Sequence, residues 1–502
     1  MKPRNLTLLL LLGGYLLSPV VFGQSTRYHD FASAADQYFN EAVNKLGIPG
    51  LAVTVVQNDK TILARGYGYA DIENKRTASG STSYYIASAT KPFTALLTAL
   101  LDDAGIIPLD DPLLKYFPGL KTESNLDLAK IKIRDLFTHT SGIDNDPLGW
   151  RVAYSGEHDH QTLLELMKYC VSNKAGYGKY EYTNVGYNIY SIILEKATGK
   201  PWQTWMQEKI FDPAGMKHTT ALISKAEAES WLLAKPYMVT ISTHEIQLRK
   251  KDNTMHAAGG IISTPEDMAT WLKLQLGNGR LNGKQIIPEK IMIACRQKLV
   301  EMPEAKRIFQ PSHYGMGWMF GTYDTEEVMH HFGSFAGFSA HTSFLPGKQI
   351  GLAILINEGL VGSELMNMIA AFTYDYFLKG HESVSVHHEQ LDKFVSQVKV
   401  MRSRVATGTE QLNNRPWTLS NDFTYYSGQY VSEKYGAISV KGSTRGLNVT
   451  MGNMQCEATP YTNEESIRVE LIPGRGQVIQ FVTENKKPVK LKFNETDFEK
   501  ID

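Results

Sequence analysis

Residues 51–56 form an apolar, β-branched run, residues 57–60 read as a polar turn, and residues 61–69 read as a second strand. Further on, Phe93, Leu96, Leu97, Leu100, Leu101 and Ala104 recur at three- and four-residue spacing until Gly105. That stripe predicts an amphipathic helix beginning near Ser88. The middle of the chain is loop-rich and mainly helical in pattern. Thr264-Pro265-Glu266-Asp267 there supplies a capping hydroxyl, a proline suited to the first turn and two acids beside the helix dipole. Strand patterns return over 338–344 and 351–357, joined by a Pro346-Gly347-Lys348 turn, and residues 362–378 read as a helix. Strands at both ends with helices between predict an α+β domain whose terminal strands share one antiparallel sheet.

The pattern changes after residue 385. Residues 387–404 read as a charged helical connector, and from Asp422 the chain breaks into short β runs at 425–431, 437–441, 447–451, 467–472, 478–482 and 489–493. Strands so regularly spaced predict a small all-β barrel or sandwich. At the other end, Lys2 and Arg4 precede an apolar run over 6–12 that Gly13, Gly14 and Pro19 interrupt, the layout of a cleavable export leader. The run is too short to span a bilayer. The expected organisation is therefore a signal peptide over 1–23, a main domain over 24–385, a helical linker over 386–415 and a β-barrel domain over 416–502. The mature protein is expected to be periplasmic or secreted, without a stable membrane anchor.

Composition narrows the chemistry. The 502 residues carry 52 Lys+Arg against 52 Asp+Glu, a zero formal charge that argues against a nucleic-acid partner. Three scattered cysteines make neither a disulfide framework nor a zinc spacing. His158-Asp159-His160 lacks a third ligand at helical or hairpin spacing, and Asp392 stands four residues after His388 where a zinc-protease helix needs histidine. No metal and no cofactor is expected.

Ser88-Ala89-Thr90-Lys91 is the strongest candidate. Pro92 forces a helix containing it to begin close by, which places the Ser88 hydroxyl at a helix N-terminus among unpaired amides. Lys91 sits one turn up the same face, and burial against an apolar helix would strip its proton and make it a base for the serine. The spacing alone is weak, because Ser396-Gln397-Val398-Lys399 repeats it in the connector. Tyr182-Thr183-Asn184 has look-alikes at Tyr38-Phe39-Asn40 and Tyr461-Thr462-Asn463, and His331-Phe332-Gly333 has one at His313-Tyr314-Gly315. Specificity comes from the ordered set Ser88, Tyr182, His331.

With those three motifs, and with Leu109-Asp110-Asp111-Pro112, His139-Thr140-Ser141-Gly142, Pro213-Ala214-Gly215-Met216 and Ala257-Ala258-Gly259-Gly260, the chain resembles the penicillin-binding protein and class C β-lactamase superfamily over about residues 35–380. The resemblance implies an antiparallel sheet flanked by helices, an all-helical subdomain, and a lipocalin-like C-terminal module that caps the cleft or mediates self-association. It implies an acyl-enzyme on Ser88, proton transfer shared by Lys91 and Tyr182, and Asn184 holding Lys91 and a substrate carbonyl. His331 and Gly333 would border the cleft, Gly333 admitting the acyl group, with the amides of Ser88 and Ser334 as oxyanion hole. Drug-binding relatives carry Lys and then Thr or Ser where this chain has His331 and Phe332. A largely neutral imidazole and a phenyl ring suit a substrate carboxylate poorly. The chain is accordingly expected to be a serine hydrolase acting on an ester or peptide-like amide, D-amino-acid peptides included. The alternatives are a β-lactamase or D-Ala-D-Ala carboxypeptidase, and a non-catalytic binder of cell-wall fragments. His139 is expected to serve only its turn.

Overall fold

The computed structural model describes residues 20–242, 244–305 and 307–501. The expected leader therefore lies outside the described residues except for its last four positions, where α1 (Val20–Leu46) begins. No helix among the described residues is long and apolar enough to cross a membrane.

The main domain is built on an antiparallel sheet. Its strands are β1 (Gly50–Gln57), β2 (Lys60–Asp71), the short β3 (Arg76–Thr77) and β4 (Val300–Glu301), β5 (Gln310–Tyr314), β6 (Met319–Tyr323), β7 (Glu326–Phe335), β8 (Phe338–Leu345) and β9 (Ile350–Ile356). They lie in the order β4-β5-β6-β7-β8-β9-β1-β2-β3. N- and C-terminal strands meet in the β1–β9 pair, Leu51 opposite Ile356 and Val53 opposite Ile354. Both faces are covered, which is why β9 is buried at every position. Successive side chains of a strand point to opposite faces. Ala52, Val56, Ala353 and Leu355 accordingly join one core with Phe93 and Trp271, from α2 (Lys91–Asp103) and a later helix. Leu51, Val53, Leu352 and Ile354 join another with Phe39 of α1, Phe372 and Leu391.

Three further long helices, with shorter ones between them, belong to the domain: α3 (Val185–Thr198), α4 (Pro265–Leu276) and α5 (Val361–Lys379). The α4 start follows its sequence signals, the Thr264 side chain accepting from the Asp267 amide. Trp271 of α4 stacks on Phe93 of α2 with ring centroids 3.6 Å apart, which fixes α2 against the sheet.

Helix α6 (Val384–Asn413) connects to the second sheet: β10 (Gly428–Ser432), β11 (Gly436–Gly442), β12 (Leu447–Met451), β13 (Met454–Glu457), β14 (Thr459–Pro460), β15 (Ser466–Ile472), β16 (Arg475–Glu484), β17 (Lys487–Phe493) and β18 (Thr496–Lys500). The order β13-β12-β11-β10-β18-β17-β16-β15-β14 curls into a nearly closed barrel around Tyr430, Ile438, Val449, Phe481 and Phe498. The run at 425–431 is shorter as a strand than its sequence implies. Residues Phe423–Tyr426 form a 3-10 turn, Tyr426 entering the core while Tyr425 stays exposed, and pairing starts at Gly428.

The barrel is docked on the main domain. Trp150 of the main domain lies in the barrel core, its indole N–H 3.1 Å from the Met451 sulfur. Arg151 donates to the carbonyls of Glu433, Lys434 and Glu157 at 2.8, 2.9 and 2.6 Å. Truncating a buried donor leaves its acceptors unpaired. Arg151→Ala is therefore expected to destabilise the docked barrel by about 2 kcal/mol, measurable as a lower denaturant midpoint for barrel unfolding and faster proteolysis near residue 415.

Candidate active site

A 3-10 turn, Ala87–Thr90, leads into α2 and carries the nucleophile candidate. Ala87 has φ +46°, a left-handed conformation that costs a side-chain-bearing residue energy and aims the next residue outward. Ser88 is thereby the half-exposed member of an otherwise buried turn. The turn lies directly on β7: a Cβ at Gly333 would come within 2.2 Å of the Ile86 carbonyl oxygen and 3.1 Å of the Ser88 amide nitrogen. A second reason for glycine at 333 thus stands beside the expected space for an acyl group. The close approach that needs glycine is that of the turn holding the serine.

Lys91 is wholly buried one turn further on. Its Nζ lies 2.7 Å from Asn184 Oδ1, 2.9 Å from the Ala258 carbonyl oxygen and 3.1 Å from Ser88 Oγ. Burial holds its pKa well below the ordinary lysine range. A neutral amine has two protons and one lone pair. The two contacts to obligate acceptors use the protons, which leaves the lone pair facing the one partner able to donate, the Ser88 hydroxyl. Nζ also lies 4.9 Å from the centre of the Tyr182 ring and 5.3 Å from that of Tyr187.

Tyr182 and Asn184 are presented by the loop entering α3. The Tyr182 ring is 39% exposed and edges the cleft, while burial of its hydroxyl raises the phenol pKa and the adjacent Ser88 hydroxyl opposes that rise. Burial thus shifts the phenol toward its protonated form and the amine beside it toward its uncharged form. With its carbonyl engaged by Lys91, Asn184 is exposed and has its NH2 available to the cleft.

The three sequence motifs thus converge, with one difference. His331 is fully buried and does not line the cleft. Its Nε2 faces the Tyr314 hydroxyl at 3.3 Å, its Nδ1 lies 2.8 Å from the Phe332 carbonyl, and burial holds its pKa well below the ordinary histidine range. It stands behind Tyr182, ring centroids 6.1 Å apart, rather than at the substrate. The pairing of β6 with β7 ends at His330, so the edge beyond it is open, and there Ser334 is exposed. A cavity of about 700 Å³ opens beside Ser88, Tyr180 and Tyr182, walled by Ile308, Met319, Phe332, Ser334 and Met366.

Sequence reasoning passed over two participants. Tyr314, the middle of the look-alike His313-Tyr314-Gly315, is buried against His331 and 3.5 Å from the Tyr187 hydroxyl. The Ala258 carbonyl belongs to the small-residue run 257–260, where a Cβ at Gly260 would come within 2.1 Å of the His256 amide nitrogen. That run of small residues was the available signal. The other look-alikes fall elsewhere: Ser396 and Lys399 are exposed on α6, Tyr38 is core, and Tyr461 belongs to the barrel region.

Comparison with known proteins agrees with this geometry. The family model described as Beta-lactamase matches residues 35–368. Protein flp of Staphylococcus aureus (strain MW2) is 26% identical over 330 residues, 66% of this chain and 64% of that protein, so the chain spans just under two thirds of that relative's length. Unguisins hydrolase ungD of Aspergillus violaceofuscus is 23% identical over 347 residues, 63% of this chain and 60% of that one. Among solved structures, the octameric penicillin-binding protein homologue from Pyrococcus abyssi superposes with a TM-score of 0.58 at 20% identity, over 93% of this chain and 100% of that one. D-amino acid amidase from Ochrobactrum anthropi SV3, complexed with D-phenylalanine, gives 0.54 at 23% identity over 66% and 92%. On the strength of a family match spanning most of the main domain and the fold shared with these structures, the chain belongs to the beta-lactamase family.

Proposed function

We propose that the chain is an exported serine hydrolase that cleaves an ester or a peptide-like amide, D-amino-acid amides and peptides included, through an acyl-Ser88 intermediate. The observation that carries this reading is the Lys91 amine, neutral by burial and 3.1 Å from Ser88 Oγ. Lys91 takes the Ser88 proton as Oγ attacks the substrate carbonyl. The amides of Ser88 and Ser334 receive the developing oxyanion at the turn and the open strand edge. Tyr182, protonated, delivers a proton to the leaving group as the C–O or C–N bond breaks, and Lys91 then replenishes it. Water, deprotonated by the same amine, attacks the acyl-enzyme, and the amine returns that proton to Ser88 Oγ as the acyl–oxygen bond breaks and the acid leaves.

The names of the relatives, an amidase and a hydrolase, support amide or ester cleavage. His331 behind Tyr182 and Phe332 on the cavity wall leave neither a permanent charge nor a hydroxyl at the two positions that drug-binding relatives use for a carboxylate, which favours esters and amides over β-lactams. A fluorophosphonate probe is expected to label the full chain at Ser88 and to leave Ser88→Ala unlabelled and inactive. Equal labelling of the two, or cephalosporin turnover matching that of a short nitrophenyl ester, would overturn the reading.

A further inference from the structure

His139 sits in the His-Thr-Ser-Gly turn with φ +60° and is almost wholly buried. The turn accepts from the loop that carries Tyr182 and Asn184 at two backbone points: Gly178 N–H donates to the Thr140 carbonyl at 2.8 Å and Glu181 N–H to the His139 carbonyl at 2.9 Å. A third link comes from the ring, whose Nδ1 accepts the Thr183 N–H at 3.2 Å. Thr183 is the residue between Tyr182 and Asn184. Since an amide can only donate, Nδ1 must be bare and the proton must reside on Nε2. The same ring packs on Tyr182 with centroids 4.5 Å apart. One imidazole therefore fixes both the backbone between the two functional side chains and the plane of one of them.

We infer that His139 is a positioning residue for catalysis, required in its neutral form to hold Tyr182 and Asn184 over Ser88 and Lys91. The inference rests on the hydrolase reading above and adds a residue to it. Protonation would place an N–H on Nδ1 opposite the Thr183 N–H and drive the loop away. The groups that face the ring from the surrounding elements are Lys91 of α2, Tyr180 and Tyr182 of the loop, Tyr187 of α3, Tyr314 of β5 and His331 of β7. None is a carboxylate, so nothing among them favours the imidazolium. Burial in this apolar and aromatic surround opposes it.

The test separates the ring's acceptor from the backbone's need for a left-handed residue. Glycine tolerates φ +60° and offers no acceptor. Asparagine tolerates it and presents Oδ1 in place of Nδ1. His139→Gly is expected to lower kcat by about 10²-fold with KM within a few-fold, as a displaced catalytic group would. His139→Asn is expected to recover most of that loss and to keep its activity at a lower pH than the wild type. Should His139→Gly not fold, His139→Asn decides alone: activity within a few-fold of wild type and kept at lower pH supports the assignment, and a loss of about 10²-fold or an unchanged acid limb overturns it. Glycine and asparagine variants impaired equally, or a glycine variant as active as wild type, would overturn the assignment. Fluorophosphonate labelling of wild-type Ser88 distinguishes that outcome from failure of the hydrolase reading, in which the wild type would not label at all.

Discussion

Replacing Lys91 with methionine is expected to lower kcat/KM by about 10³-fold, the range for a lost general base, while leaving a folded protein. Methionine matches the length and burial of the side chain and removes only the amine. Asn184 is exposed, so water can replace Lys91 at its carbonyl, whereas the buried Ala258 carbonyl loses its donor at a cost of about 1–2 kcal/mol. The pH profile carries the sharper signature. Burial lowers the Lys91 pKa, so the competent neutral fraction grows as pH rises through that lowered value and then levels off. Burial raises the Tyr182 pKa above its ordinary 10, so the proton donor is lost only at strongly alkaline pH. Wild-type kcat/KM should thus climb with pH as Lys91 loses its proton below the ordinary lysine range, level off, and fall above pH 10 as Tyr182 ionises. Lys91→Met should retain whatever residual rate it has without the part of the acid limb that belongs to the amine. Lys91→Arg should not rescue it, since a guanidinium stays protonated throughout. Activity in Lys91→Met within a few-fold of wild type would move the base to another residue.

The three motifs were readable because their residue types are chemically exceptional where they stand: a lysine inside an apolar helix, a hydroxyl just before Pro92. What they do in space was less readable. His331 and His330 both read as polar, and Gly321 and Pro311 interrupt the neighbouring runs, so β5, β6 and most of β7 show no alternation. These strands are covered by helices or by histidines and tyrosines that pack as core, and tertiary burial overrides the polarity of single residues. The same effect hid Tyr314 inside a chance His-x-Gly match, and it gave His331 a substrate role that its burial denies. In the barrel, β18 contains one buried apolar residue, Phe498, and exists because β10 and β17 offer it two edges to pair with. Pairing partners are not a local property of sequence, whereas the alternation of β12 and β15 is, and those strands stand where their patterns place them.

Gly333→Ala is the second substitution expected to act strongly, and it does so without touching any group that exchanges a proton. The added Cβ would meet the Ile86 carbonyl oxygen at 2.2 Å, with the Ala89 and Ser88 amide nitrogens both at 3.1 Å. All three are backbone atoms, so no rotamer change relieves the contact. An ordinary carbon–oxygen contact would need the turn and β7 to separate by about 1 Å, a displacement of the size that costs about 10²-fold in rate when it moves a reacting group. The turn already holds Ala87 in a left-handed conformation, and Ser88 is coupled through Lys91 to Asn184 and Ala258. A shift there would break the alignment of the proposed nucleophile, base and oxyanion amides together. The expected result is a loss in kcat/KM of about 10²-fold or more and proportionally slower fluorophosphonate labelling, accompanied by an overpacking cost of about 1–3 kcal/mol. Gly408→Ala is the control: on α6 a Cβ meets nothing within 4 Å, so that variant should be as active as wild type and slightly more stable. If Gly333→Ala labels at the wild-type rate, β7 does not set the position of Ser88, and the oxyanion site must be sought away from that strand edge.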